Sequence, residues 1–167
     1  DTSSIIRNNT PKESDVILLT KPLGSGILTT AIKQELASKI TVQNVIELMS
    51  TLNHDLSETN ININACTDIT GYGLLGHLSE MTQNSNLSAN IYFNKVPFID
   101  EVIKFAKDGI IPGGSKKNLD FYSKNVLFDS SIEIHKQLMI ADAQTSGGLL
   151  MSVSKSDANN LIKILNK

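Results

Sequence analysis

A strand–turn–helix unit in the middle of the chain constrains the fold more than any other feature. Residues 61–66 alternate between apolar and polar side chains, as a strand with one buried face does. A glycine-containing turn follows within the run TDITGYGLLGH at 67–77, and a helix then continues. Its inward residues are predicted to be Leu74, Leu75, Leu78 and Met81. Such a unit requires a sheet with helices packed against it.

Further strands and helices are predicted along the rest of the chain. Apolar runs predict strands at 15–20, 89–93 and 149–153. Helical spacing predicts helices at 27–36, 42–56 and 97–107, and Ser156 is expected to cap a final helix. A polar, glycine-rich turn is predicted at 140–148. Because strands and helices are interspersed without a strict βαβ repeat, we expect an α+β fold with a mixed, mainly antiparallel sheet packed with helices.

Composition excludes several classes of protein. With 167 residues, the chain is long enough for one domain with a substantial core. Its net charge of −2 gives no electrostatic case for nucleic acid or an anionic membrane. No apolar run approaches the length that spans a bilayer. The single cysteine, Cys66, excludes an internal disulfide and favours a cytoplasmic protein.

Both ends of the sequence have the pattern of a fragment. The chain begins with Asp1, and its first residues are polar and turn-rich. Residues 161–167 stop inside an apolar-periodic segment without a cap. We expect residues 1–14 to be a linker or loop from a missing N-terminal domain. Residues 15–167 are expected to form a C-terminal domain that is truncated before its last strand.

The run at 67–77 allows three interpretations. Gly71, Gly73 and Gly76 have the G-x-G-x-x-G spacing of a dinucleotide-binding turn. However, 89–96 lacks the acidic residue that would hold the ribose, and Asp68 would repel a pyrophosphate. A carboxylate at a strand end fits Mg²⁺, with phosphate oxygens at the glycine turn. Alternatively, Asp68 caps the turn or the helix. The pattern leaves the last two interpretations open.

Cysteine and histidine chemistry is not indicated by sequence spacing. Cys66 has apolar flanks and no histidine near it, which predicts a small buried residue rather than a nucleophile. His77 fits a packed or capping histidine, and His54 and His135 form no metal-ligand spacing.

Four segments, taken in order, resemble the selenophosphate synthetase (selenide, water dikinase) family. They are TKPLGSGILTTA at 20–31, the run at 67–77, IPGG at 111–114 and DAQTSGGLL at 142–150. The resemblance covers about 15–153 and is to the family's C-terminal domain. It implies an α+β fold of the aminoimidazole ribonucleotide synthetase C-terminal type.

The resemblance also implies an activity and a set of site residues. The full protein would transfer phosphate from ATP to selenide and release selenophosphate, AMP and phosphate. Asp68 matches the family's aspartate that helps to hold Mg²⁺ at the ATP phosphates. The glycine-rich turns would line a cleft between two domains. The residues expected there on the cofactor side are Gly71, Gly73, Thr145 and Ser146.

Most of the machinery is expected outside this chain. In the family, the N-terminal domain carries most of the ATP site and the catalytic Cys (or selenocysteine) and Lys. No catalytic residue is therefore expected here, and the isolated fragment is expected to be inactive. The implied partners are ATP, selenide, the protein's own N-terminal domain and a second copy in a homodimer. Two alternatives remain: another ATP-dependent phosphoryl-transfer enzyme of the same superfamily, and a non-catalytic assembly module in which Asp68 caps a turn.

Overall fold

The computed structural model describes residues 5–56 and 59–166. Within these ranges, three strands form one sheet in the order β1–β3–β2, and every pairing is antiparallel. The strands are β1 Val16–Leu19, β2 Ile63–Asp68 and β3 Leu149–Val153. One parallel bridge in the described part of the chain, between Leu23 and Phe98, lies outside this sheet. The predicted α+β class is confirmed.

Helices account for most of the remaining regular structure. The α-helices of the described part of the chain are α1 Ser25–Lys33, α2 Lys39–Ser50, α3 Gly73–Gln83, α4 Val102–Lys107, α5 Gly113–Tyr122, α6 Ile134–Ile140 and α7 Lys155–Leu165. None of them is long and apolar enough to cross a membrane.

The sheet packs against α3 on one face and α7 on the other. Successive side chains of β3 point to opposite faces, so Leu150 packs with the α3 cluster and Met151 with the α7 cluster. The four α3 residues predicted to point inward are all buried. A third cluster joins α1, α2 and α4 through residues such as Ile27, Val45 and Phe105.

The predicted strand at 89–93 is wrong. Residues 87–92 have no regular structure, and a 3₁₀ turn occupies Phe93–Lys95. Ile91 and Phe93 nevertheless pack against the α3 cluster. The alternation of side chains therefore reflects the packing of one side of this segment against the α3 cluster. No neighbouring strand of the described chain pairs with it, and a strand requires such a partner.

Several helix boundaries differ from the predictions. α2 ends at Ser50 because Thr51 is extended, and this leaves Leu52 88% exposed. α4 begins at Val102, since the backbone at 97–99 exchanges hydrogen bonds with Leu23. The final helix is capped by Ser154, whose Oγ accepts the N–H of Asp157, so the assignment of the cap to Ser156 is wrong.

Two helices were not predicted. α5 has a weakly amphipathic sequence, and it begins with two glycines, Gly113 and Gly114, which are poor helix formers. Glycine is tolerated at this point because the first turn of a helix makes few intrahelical bonds. α6 is seven residues long, too short for its periodicity to be distinctive.

Candidate functional site

Three loops meet at one end of the sheet because of the strand directions. β1 and β2 both run antiparallel to β3, so their C-terminal ends lie beside the beginning of β3. The Ile69 N–H donates to the Gly148 carbonyl at 2.9 Å, and the Gln144 N–H donates to the Thr70 carbonyl at 3.0 Å. The turn at 69–73, the turn at 20–26 and the loop at 141–148 therefore form one cluster.

Gly73 packs directly against the 141–148 loop. Its φ is +66°, and a Cβ placed on it would lie 2.7 Å from the Asp142 carbonyl oxygen and 2.8 Å from that of Ala141. Gly71, by contrast, is exposed, and a Cβ there would have nothing within 4 Å. Of the two glycines predicted to line a cleft, Gly71 is open to solvent and Gly73 is buried beneath it.

Asp142 and Gln144 occupy the N-terminus of α1. The Gly26 and Ile27 N–H groups both donate to Asp142 Oδ2 at 3.1 Å. The Gly24 N–H donates to Gln144 Oε1 at 2.9 Å. These bonds satisfy N–H groups that a helix start leaves unpaired. Two of the sequence segments that carried the family resemblance are thus bound to each other.

The Asp142 carboxylate is fully buried without a cationic partner among these contacts. Burial raises its pKa to about 6, and hydrogen bonds from Ser115, Ile27, Gln144 and Gly26 oppose that rise. Ser115 Oγ donates to Asp142 Oδ1 at 2.7 Å.

α5 attaches to the same cluster through Asn118, which reasoning from sequence missed. The Asn118 side-chain amide donates to the Gly71 carbonyl at 2.8 Å and to the Ala141 carbonyl at 3.1 Å. It therefore holds the 69–73 turn and the 141–148 loop together. The signal available in the sequence was the pair of polar residues Ser115 and Asn118, three apart, at the start of the unpredicted helix.

Lys21 is a buried cation that binds backbone carbonyls. It is 7% exposed, and its Nζ donates to the Thr51 carbonyl at 2.6 Å and to the Ser146 carbonyl at 3.0 Å. Burial lowers the pKa of its ammonium group. Asn53 adds a hydrogen bond to the Gly147 carbonyl at 3.1 Å. The segment after α2 is therefore attached to the loop that carries Thr145 and Ser146.

Thr145 and Ser146 lie at the exposed side of the cluster. Both side chains are exposed, whereas the Thr145 N–H is fixed by donation to Ser25 Oγ at 2.9 Å. Ser146 has a φ of +51°. Their neighbours in the loop contact the 69–73 turn, so these two hydroxyl side chains and Gly71 border the same surface.

Asp68 ends β2 at this surface and is exposed. Among the described residues, its carboxylate makes no hydrogen bond or ion pair. The N-cap of α3 is Tyr72, which also makes no side-chain cap bond, so the interpretation of Asp68 as a helix cap is not supported. Its free carboxylate is a hard oxygen donor of the type that Mg²⁺ prefers. No cluster of three or more His, Cys, Asp or Glu suited to a metal occurs in the described ranges.

Cys66 does not have the environment of a nucleophile. Burial, with a smaller contribution from Asp68, raises the pKa of its thiol to about 11. The thiolate, which is the reactive form, is therefore scarce at neutral pH.

The side chain of His77, in α3, contacts the 69–73 turn. The Thr70 N–H donates to its Nε2 at 3.0 Å. Burial lowers the pKa of the imidazole, while Glu80 and Asp68 oppose the shift. His54 is exposed, and His135 Nε2 lies 3.9 Å from Glu133 Oε2.

A groove of about 880 Å³ lies elsewhere, along β1. It is bordered by residues 11–20 and by Ile162, Leu165 and Asn166 at the end of α7. None of the five predicted site residues lines it.

Comparison with known proteins places this geometry in a family. Residues 12–167 match the family model described as AIR synthase related protein, C-terminal domain. The selenide, water dikinase of Aliarcobacter butzleri is 43% identical over 165 residues, which are 98% of this chain and 48% of that protein. The selenide, water dikinase of Myxococcus xanthus is 44% identical over 96% of this chain and 47% of its own length. The chain thus spans about half the length of these curated relatives.

Solved structures show the same fold at low sequence identity. The thiamine-monophosphate kinase of Stenotrophomonas maltophilia superposes with a TM-score of 0.61 at 13% identity, covering 96% of this chain and 46% of that one. The hydrogenase maturation protein HypE in complex with ATP gives 0.61 at 15% identity, covering 97% and 41%. The resemblance to selenide, water dikinase that the four segments indicate is confirmed. The chain belongs to the AIR synthase related protein family and matches the C-terminal domain of that family.

Proposed function

We propose that this chain is the C-terminal domain of an ATP-dependent selenide, water dikinase, a phosphotransferase that makes selenophosphate, AMP and phosphate from selenide, ATP and water. The observation that carries the proposal is identity above 40% to proteins of that name over nearly the whole chain. The exposed surface bordered by Asp68, Gly71, Thr145 and Ser146 supports it, because phosphoryl transfer needs charge neutralisation and positioning more than covalent chemistry from the protein.

Asp68 is the residue that would hold Mg²⁺ in this proposal. The bound ion would supply positive charge at the ATP phosphates. Asp68 contributes an anionic oxygen on a rigid strand end, where Leu149 pairs with it across the sheet. Thr145 and Ser146 contribute hydroxyl groups that can hydrogen-bond to phosphate oxygens. The buried contacts of Lys21, Asp142 and Gln144 hold these groups in place.

The remaining machinery is assigned to an N-terminal domain in a longer protein. That domain would supply the catalytic Cys (or selenocysteine) and Lys, most of the ATP site and the homodimer contact. The full protein is proposed to be cytoplasmic. Residues 1–14 would be the linker to it. Described residues of this segment pack on β2, since Arg7 accepts a backbone hydrogen bond from Cys66 and Thr10 donates to the Asn64 carbonyl. Within the described ranges, β1 pairs with β3 on one side, and its other edge lies beside the end of α7. This arrangement supports the proposal that a further strand of the domain follows in the longer protein.

Selenide-dependent release of AMP by the full-length protein tests the proposal. Asp68→Asn is expected to raise the Mg²⁺ concentration for half-maximal activity about tenfold, the cost of losing one charged ligand interaction. Asp108→Asn, at an exposed position after α4, is the matched control and should leave it unchanged. Unaltered Mg²⁺ dependence in Asp68→Asn would contradict the metal role, and absence of selenide-dependent AMP release in the wild type would contradict the activity.

A second candidate is another ATP-dependent enzyme of the same superfamily. The shared fold with the thiamine-monophosphate kinase and with HypE favours it. ATP turnover by the full-length protein that does not depend on selenide would support this candidate. Absence of both ATP turnover and ATP binding would instead support a non-catalytic assembly module.

A further inference from the structure

His77 belongs to the 67–77 run but has no role in the function proposed above. It lies one turn into α3, and its side chain is only 8% exposed. Its ring contacts Thr70, which precedes the helix, so the side chain reaches back over the start of its own helix. This contact links α3 to the turn that follows Asp68.

The hydrogen bond to Thr70 defines the protonation of the ring. A backbone N–H can only donate, so His77 Nε2, at 3.0 Å from the Thr70 nitrogen, must be an unprotonated acceptor. The Thr70 hydroxyl lies 3.1 Å from the same ring nitrogen. A neutral ring then carries its proton on Nδ1, which is buried without a hydrogen-bond partner among the described residues. The Glu80 carboxylate is 4.0 Å from Nδ1.

The peptide groups on both sides of Thr70 are held by these contacts. Its N–H is bound by His77, and its carbonyl accepts the N–H groups of Gly73 and Gln144, each at 3.0 Å. The turn is therefore fixed to α3 on one side and to the 141–148 loop on the other. Asp68 lies two residues before this anchor, and the exposed Gly71 directly follows it.

We propose that His77 is a positioning residue: by accepting the Thr70 N–H at Nε2, it holds the 69–73 turn in the conformation that binds the phosphates of Mg²⁺–ATP. The proposal rests on the proposed function for its ligand, but the anchoring of the turn is independent of it. The proposal gives His77 no direct contact with the nucleotide or the metal.

Three substitutions of His77 in the full-length protein separate this role from simple packing. In His77→Gln, the side-chain oxygen can occupy about the position of Nε2 and accept the same N–H. In His77→Asn the shorter amide does not reach that position, and in His77→Leu the acceptor is absent. Thr70→Val removes the hydroxyl but keeps the N–H. His54→Gln is the matched control, because His54 is exposed.

Nitrogen-15 NMR and amide exchange test the anchor directly. In the wild type, the ring of His77 is expected to be neutral with Nε2 unprotonated, and the Thr70 amide is expected to be protected. Protection should persist in His77→Gln and Thr70→Val and fall about tenfold in His77→Leu and His77→Asn. A proton on Nε2 in the wild type, or equal exchange in the Gln and Leu variants, would overturn the proposal.

Steady-state kinetics test the consequence for the nucleotide. We expect the KM for ATP at fixed Mg²⁺ to rise about tenfold in His77→Leu and His77→Asn, with a smaller change in kcat and a KM near wild type in His77→Gln. An equal rise in the Gln and Leu variants would overturn the positioning role. If the wild type shows no selenide-dependent AMP release while the NMR results hold, the proposed function fails and the anchoring of the turn stands.

Discussion

Replacement of Gly73 by alanine tests the packing that joins the 69–73 turn to the 141–148 loop. Alanine at a φ of +66° costs about 1–2 kcal/mol because Cβ approaches its own backbone. The new Cβ would also lie 2.7 Å from the Asp142 carbonyl oxygen and 2.8 Å from that of Ala141. Both are backbone atoms, which cannot rotate away as a flexible side chain can, and such overpacking adds about 1–3 kcal/mol. The expected loss in the free energy of unfolding is therefore about 2–5 kcal/mol.

Gly71→Ala is the matched control for this prediction. Gly71 is exposed, its φ is not positive, and a Cβ would have nothing within 4 Å. Its substitution should be neutral or stabilise the protein by up to about 1 kcal/mol, since alanine restricts the unfolded chain. Urea denaturation followed by far-UV circular dichroism measures both variants. Unfolding free energies within about 0.5 kcal/mol of each other would refute the close approach of Gly73 to the loop.

Three further substitutions test the buried polar contacts and one helix cap. Because the pKa of Asp142 rises from 3.8 when unfolded to about 6 when folded, this carboxyl binds more protons in the folded state between those values. The free energy of unfolding of the wild type should therefore fall by about 1–3 kcal/mol relative to that of Asp142→Asn as pH increases from about 4 to 6. If the difference between the two proteins in urea denaturation does not change over this pH range, the burial of this carboxyl is contradicted. Lys21→Met leaves the Thr51 and Ser146 carbonyls without their donor and should lower the free energy of unfolding by about 1–3 kcal/mol. The exposed Lys117→Met should lower it by less than about 0.5 kcal/mol, and equal losses would contradict a stabilising role for these two Lys21 hydrogen bonds. Ser154→Ala should lower the free energy of unfolding by about 1 kcal/mol, seen as a lower thermal midpoint, and Ser156→Ala should lower it much less. The reverse order would indicate that Ser156 is the cap.

Sequence patterns located the elements with strong periodicity. β3 has the predicted bounds, because a short apolar run marks a buried strand in the local sequence. The inward face of α3 is also as predicted, because a stripe of apolar residues at helical spacing is visible in the local sequence. The strand at 89–93 failed because strand formation needs a partner that local sequence does not describe. α5 and α6 were missed because short or weakly amphipathic helices obtain their stability from tertiary packing.

The candidate site shows the same division between local sequence and tertiary contacts. Asp68, Thr145 and Ser146 were predicted as site residues, and that role stays a prediction. The structure shows that the segments carrying them lie at the same end of the sheet. The motif residues Lys21 and Asp142, however, face inward and bind backbone groups. A polar residue in a glycine-rich turn has the same sequence signature whether it faces a ligand or a helix terminus.

The order of the four segments determined the family of this protein, because glycine-rich turns joined to apolar strands and helices in that order are specific even when each segment alone is not. The tertiary structure decided which groups remain available for a ligand. The antiparallel register brings the ends of β1 and β2 beside the start of β3, so the turns satisfy one another's buried donors and acceptors. The groups that remain at the surface include a carboxylate, two hydroxyl side chains and an open glycine, and that selection depends on contacts between residues as far as 129 positions apart.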